Sequence, residues 1–268
     1  MGPAQNVLID QEGGITSITL NRPQVKNALT FAMCRELITL FRRLREDATV
    51  RVVLLRGSGS DFSSGADLND VSTILNADAK ARSDAAVQQV HELSLPLFLA
   101  MDAVPQPVVC SVRGYAVGAG MQMALMSDLV VAAESAKFVL PQVRLGHNVD
   151  HGESWALPRK VGTGRAMQLM ALGETVGGRD AERFGIANWV VDDVALDQKT
   201  DEVVGRLASS PTVAISEMKN LLRGAAQRSL KEQLEAEARA LGVCAATEDF
   251  AEAIGAFMAK RKPAFKGR

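Results

Sequence analysis

Strand-like runs alternate with helically spaced apolar residues through the first two-thirds of this chain, and helical spacing then dominates. Val7-Leu-Ile-Asp10 and Ile15-Thr-Ser-Ile-Thr-Leu20 flank Gln11-Glu-Gly-Gly14, which predicts a hairpin. Residues 30–47 carry Leu37, Leu40, Phe41 and Leu44 on one helical stripe. Strands are expected at 51–56, 108–112 and 129–132, and helices at 118–126 and over most of 67–103, with breaks around 76–78. Beyond Gly164 helices are expected at 165–172, 180–184, 196–208, 212–226, 231–244 and 248–260, with one short strand at 187–191. Alternating strands and helices imply sheets covered by helices. The pattern implies one α/β unit, with a core over 1–195 and a helical extension over 196–268 rather than two independent domains.

Composition narrows the function classes. Of 268 residues, 47% are hydrophobic and 23% charged, which is globular rather than disordered. A net charge of -1 supplies no whole-chain field for nucleic acid or an anionic membrane. The three cysteines, Cys34, Cys110 and Cys244, form no CxxC or Cys/His cluster, so reduced thiols, no metal and a cytoplasmic setting are expected. Met1–Asp10 lacks a basic region followed by an apolar one, so no export signal is expected. The stretch 114–133 is apolar, but Gln122 and Asp128 interrupt it and leave it short of the ~20 residues a span needs.

The glycine motifs differ in the residues that come after them. Gly57-x-Gly59 has Phe62 where a dinucleotide fingerprint needs its third glycine, and Gly162-Thr-Gly164 runs into Arg165 rather than a phosphate-loop lysine. Phe62-Ser-Ser-Gly65-Ala66-Asp67-Leu68 and Gly114-Tyr-Ala-Val-Gly118-Ala119-Gly120 are different. Small residues let a ligand approach the backbone, and a helix opening near Gly118 aims free N–H groups outward. Two such turns face to face would offer two donors to one oxygen, the geometry that stabilises an enolate formed from a thioester carbonyl. On spacing alone each is also a tight turn where a helix packs on a strand.

Taken in order, these segments resemble the crotonase superfamily, also called the enoyl-CoA hydratase/isomerase family. Asn21-Arg-Pro23 and Asn27-Ala-Leu29 are similar to the family's opening. Phe62–Leu68 and Gly114–Asp128 resemble its two oxyanion turns, and Phe138–Gly146 the strand and turn beyond them. Glu182–Asn188 and the tail Lys260–Lys266 are similar too. The resemblance implies a β-β-α spiral core with a C-terminal helical trimerisation region, assembled as a homotrimer or a dimer of trimers. It implies an acyl-CoA thioester as substrate and no tightly bound cofactor. By position, the N–H groups of Ala66 and Ala119 form the oxyanion hole, with Ala119 standing where glycine is usual. Asp67 and Leu68 line the adenine end of the CoA site, Phe257 and Lys260 reach CoA from a neighbouring subunit, and Lys26 and Arg22 are candidates for its phosphates.

The departures carry the functional question. Family hydratases have glutamates at the positions of Gln122 and Gln142, and an amide hydrogen-bonds but moves no proton. Loss of a general acid or base typically costs ~10²–10⁴ in rate. Asp150 matches a position that serves as base in family isomerases and as nucleophile in a family dehalogenase; it is also a candidate cap for the helix starting near Gly152. His147 and His151 flank it and are candidate proton carriers. Glu153 reads as a first-turn acid favoured by the helix dipole, and His91 as a candidate on a helix that roofs the pocket in relatives. A triad of Asp150, His151 and Ser154 is not expected, because adjacent residues do not easily point at one another. Isomerisation, or hydrolysis or substitution through Asp150, is therefore favoured over simple hydration. The alternatives are a hydratase whose glutamines position water, and an idle acyl-CoA-binding protein.

Overall fold

The computed structural model describes residues 5–268; the first four residues of the Met1–Asp10 reading lie outside it. Among the described residues nine strands form, β1 Val7–Glu12, β2 Ile15–Leu20, β3 Val52–Gly57, β4 Val108–Val112, β5 Tyr115–Val117, β6 Leu129–Ala133, β7 Lys137–Val139, β8 Thr175–Gly177 and β9 Trp189–Val191. Through the core run α1 Phe31–Glu46, α2 Leu68–Val71, α3 Ala79–Gln89, α4 Leu95–Asp102, α5 Ala119–Met126, α6 Glu153–Val161, α7 Thr163–Leu172 and α8 Gly178–Phe184. The helical extension is α9 Leu196–Ala208, α10 Thr212–Ala225, α11 Leu230–Ala245 and α12 Glu248–Met258.

Six strands form one sheet in the order β1-β2-β3-β4-β6-β9. Only the β1–β2 hairpin pairs antiparallel there; the other pairs are parallel. Side chains alternate across a pleated strand, and here both faces are apolar. Val53 and Leu55, Val108 and Cys110, and Val130 and Ala132 enter a core shared with α1, α4 and α5. Their neighbours Val52, Leu54, Val109, Val131 and Ala133 pack instead against Leu196, Val203 and Val204 of α9. A sheet buried on both faces is what parallel pairing requires. A buried Ser111–Thr200 hydroxyl pair at 2.9 Å ties β4 to α9.

Three strands of three residues each make a second sheet, β5-β7-β8. Sequence periodicity does not foresee β5 or β8, because three residues are too few to show a period of two. The chain crosses between the sheets at Arg113-Gly114. Gly114 has φ +54, and a Cβ there would lie 2.2 Å from the Ser60 carbonyl. No other residue type fits that crossing.

Capping explains the helix ends. Thr30 accepts from the Met33 N–H at the start of α1, and Ser229 and Glu232 form a capping box at α11. The chain closes on itself through Asp249, whose buried carboxylate accepts the N–H groups of Lys266 and Gly267. Arg51 adds donations to the carbonyls of Ser210 and Phe265. Among the described residues no helix is long and apolar enough to cross a membrane.

Candidate active site

The two glycine turns lie side by side. Gly65 has φ +85, and a Cβ on it would come 2.6 Å from the Val117 carbonyl oxygen and 3.6 Å from the Ala119 nitrogen. Gly118 has φ +50 and is the N-cap residue of α5, with no side-chain cap. The Leu29 N–H donates to Gly65 O and the Asp67 N–H to Leu29 O, which clamps the first turn. The Gly118 N–H donates to Val139 O, which clamps the second. Neither the Ala66 N–H nor the Ala119 N–H donates to an acceptor among the described residues. A buried backbone donor needs a partner, and two converging ones can hold a single oxygen atom.

Gln122 on α5 and Gln142 after β7 are both buried, and the Oε1 atom of each has no hydrogen-bond partner among the described residues. A Cβ on Gly118 would lie 3.8 Å from Gln142 Nε2, and one on Gly152 would lie 3.1 Å from Gln122 Nε2. Both amides therefore border the same space as the second turn. The loop 149–152 closes over it.

That loop returns carboxylates to the site. Glu153 is 0% exposed. Its Oε1 accepts from Gln142 Nε2 at 2.7 Å and its Oε2 from the His151 N–H at 2.8 Å. A first-turn acid on a helix surface does not account for this burial; the side chain turns inward and spends both oxygens on two donors. Gly152, with φ +96 and no side-chain bond, is the N-cap residue of α6, so Asp150 does not cap that helix. Asp150 Oδ1 is buried with no hydrogen-bond partner and lies 3.5 Å from His151 Nε2. On the other side of the imidazole, Ser94 Oγ is 2.8 Å from Nδ1. The Phe98 ring packs at a tilt with its centroid 5.8 Å away.

Adjacent Asp150 and His151 thus do approach one another, contrary to expectation. The serine beside them is Ser94, 57 residues upstream in sequence, whereas Ser154 is exposed. Ser94 ends a wide π-type turn, Val90–Ser94, between α3 and α4, in which the Leu95 N–H reaches back to Val90 O. Such turns recur at functional sites. No helical spacing foretells it.

The remaining candidates sit elsewhere. His147 is exposed, with Nδ1 2.8 Å from the Asn148 carbonyl. His91 is exposed and lines an outer groove with Arg42, Arg45 and Leu99. Asp67 caps α2 by accepting from the Asn69 N–H and pairs with Arg22 at 2.8 Å, which holds its carboxyl below the usual range. Arg22 and Asp67 thereby occupy one another. Leu68 is exposed one residue further on. Lys26 lies over the Tyr115 ring, 4.4 Å from its centroid. Lys260 is exposed, and Phe257 is 83% exposed at the end of α12. Asp150, His151 and Glu153 each bring a ligand atom within 4.8 Å of the others, but Ser94 and Gln142 already engage two of those side chains.

The chain belongs to the enoyl-CoA hydratase/isomerase family, the crotonase superfamily: the family model for enoyl-CoA hydratase/isomerase matches residues 10–268. It is 35% identical to the 1,2-epoxyphenylacetyl-CoA isomerase of Escherichia coli K12, over 98% of each chain. It is 31% identical to the 2,3-dehydroadipyl-CoA hydratase of the same organism, over 98% of this chain and 99% of the other. The solved enoyl-CoA hydratase of Bacillus anthracis superposes with a TM-score of 0.90 at 30% identity, covering 98% of this chain and all of that one. The protein is accordingly an acyl-CoA-processing enzyme of this family with the crotonase α/β fold.

Proposed function

We propose that the protein isomerises an acyl-CoA thioester by proton transfer through an enolate, with Asp150 as the base. Asp150 Oδ1 carries the reading: it is a buried carboxylate oxygen that no protein donor occupies. The thioester oxygen would accept from the Ala66 and Ala119 N–H groups, where charge develops as the α-proton leaves. Asp150 takes that proton while the C–H electron pair moves onto the thioester oxygen. The same carboxyl group then returns the proton to another carbon. Gln122 and Gln142 can hold substrate groups by hydrogen bonds but move no proton. Relatives of both kinds match at similar identity, an isomerase at 35% and a probable enoyl-CoA hydratase at 37%, so the choice of isomerisation rests on Asp150 and the two glutamines.

CoA would lie along the first turn, at Asp67 and Leu68, with Lys26 near its phosphates. Phe257 and Lys260 would reach it from a neighbouring subunit in a trimer or a dimer of trimers. The exposed apolar residues Leu222, Leu230, Leu234, Leu241 and Ile254 on α10–α12 support such an assembly.

The test is mass spectrometry of a panel of acyl-CoAs incubated with the protein in heavy water. Enoyl, dienoyl, 3-oxo, malonyl-type and aryl thioesters make up the panel. Deuteron uptake or a shifted double bond, lost in Asp150→Asn while CoA still binds, is the expected result. Addition of water at a hydratase-like rate would refute it. Release of CoA would point to hydrolysis through Asp150, and binding without any product to an idle acyl-CoA-binding protein.

A further inference from the structure

We infer that His151, braced by Ser94, is a positioning residue for Asp150; this rests on the reading of Asp150 as the base. Ser94 Oγ lies 2.8 Å from Nδ1 of the imidazole, and Asp150 Oδ1 faces Nε2 at 3.5 Å, within reach of charge attraction though not hydrogen-bonded. A neutral imidazole has one donor nitrogen and one acceptor nitrogen. A carboxylate only accepts, so the nitrogen facing Asp150 must carry the hydrogen. Nδ1 is then the acceptor, and the Ser94 hydroxyl donates to it. The carboxylate thus selects the Nε2–H tautomer, and the serine, whose hydroxyl can donate or accept, accommodates it.

The surroundings fix the ring as well. The His151 side chain is only 15% exposed and packs against Phe98. Its backbone N–H is held by Glu153 Oε2. Ser94 is carried by the π-type turn, and the ring by a loop anchored at Gly152 and Glu153. Closing the 3.5 Å approach would give Asp150 Oδ1 a single donor and leave its second lone pair free to take the substrate proton. His151 keeps its proton throughout: the substrate proton goes to Asp150 and back, and the imidazole stays neutral.

Two measurements test this. The first reads the tautomer directly by imidazole ¹⁵N chemical shifts at pH 8. The chain has three histidines, and His151 is assigned by the resonance missing from His151→Gln. Neutral His151 with hydrogen on Nε2 is expected, both in the wild type and in Ser94→Ala. Hydrogen on Nδ1 in the wild type would overturn the assignment. The second reads kcat and KM on the panel thioester that is turned over fastest. A hydrogen bond to a charged group is worth enough that His151→Ala should lower kcat about 10- to 100-fold with KM within about 2-fold. His151→Gln places an amide N–H near the same spot and should recover most of the loss. Unchanged kcat in His151→Ala, with Asp150→Asn inactive, would refute the role of His151 alone. Full activity in Asp150→Asn would instead refute the reading of Asp150 beneath it. An equal loss in His151→Ala and His151→Gln, with both folded, would mean that the ring matters for packing rather than for its N–H.

Discussion

Glu153 gives the sharpest separation between a residue that holds the site and one that runs it. Glu153→Leu removes an acceptor from two donors at once, the Gln142 side-chain amide and the His151 backbone N–H. Each donor left unsatisfied in a buried setting costs about 1–3 kcal/mol. Relief of carboxylate desolvation offsets part of that, so a net loss of about 2–4 kcal/mol is expected. Glu153→Gln differs, because Gln142 Oε1 has no partner now. The Gln142 amide can rotate by half a turn, accept from the new NH₂ group, and leave the new carbonyl oxygen to accept from the His151 N–H. Both bonds of residue 153 are then kept, but the Gln142 NH₂ turns to the place where Oε1 has no partner, so a cost of about 1–2 kcal/mol is expected. In thermal unfolding of a chain this size about 2–4 °C corresponds to 1 kcal/mol. The leucine variant should melt roughly 5–10 °C lower and the glutamine variant roughly 2–5 °C lower than wild type. Turnover is the second readout. If Glu153 only positions Gln142 and the 149–152 loop, Glu153→Gln should keep kcat within about 10-fold, against the ~10²–10⁴ expected for a lost acid or base. A folded glutamine variant as inactive as Asp150→Asn would refute the reasoning and make Glu153 a proton carrier.

Two further outcomes are expected. Lys219 is buried, donates to Gln106 O at 2.8 Å and pairs with Asp128 at 2.6 Å, yet burial pulls its pKa from 10.5 down to about 8. The unfolded chain therefore holds more protons between about pH 8 and 10.5, and folding gains stability as pH rises through that window. Relative to Lys219→Met, the wild type should gain about 2 kcal/mol between pH 7 and 9.5 in denaturant titrations, using ~1.4 kcal/mol per pKa unit; a constant difference would refute the burial argument. On the helical extension, Leu222 is 77% and Leu234 55% exposed in the single chain. Leu222→Glu with Leu234→Glu should change monomer stability by no more than about 0.5 kcal/mol each but shift sedimentation from an oligomer to a monomer. An unchanged mass would remove these faces from the interface.

The main elements and the glycine turns were legible because their signals are local. Leu37, Leu40, Phe41 and Leu44 are buried on α1, along the stripe that their spacing predicts. Gly65 and Gly118 sit at positive φ in two turns that lie against one another, within the two small-residue segments that the sequence marks. What the sequence did not display is contact over distance. Ser94 meets His151 across 57 residues, and Arg22 meets Asp67 across 45. Those pairings depend on a π-type turn and on a clamp between Leu29 and the Gly65 turn, and neither leaves a periodic trace. The burial of Glu153 was hidden for the same reason. Its sequence position one residue after Gly152 fits a surface acid as well as an inward one.

The glutamines change meaning once Glu153 is seen. An amide at position 142 cannot move a proton, but its N–H holds Glu153, Glu153 holds the His151 backbone, and His151 stands beside Asp150. A glutamate at 142 would set two carboxylates against each other across the 2.7 Å now spanned by a hydrogen bond. Like charges at that range penalise both ionised forms. Gln142 and Glu153 are thus a matched pair: the amide at 142 supplies the donor that the buried carboxylate at 153 requires. The acid has not been lost from the site but moved from the strand end at 142 to the loop at 150–153. There it borders Gln122 and Gln142 from the 150–153 side, and on the proposed reading that is where a proton shuttle would stand.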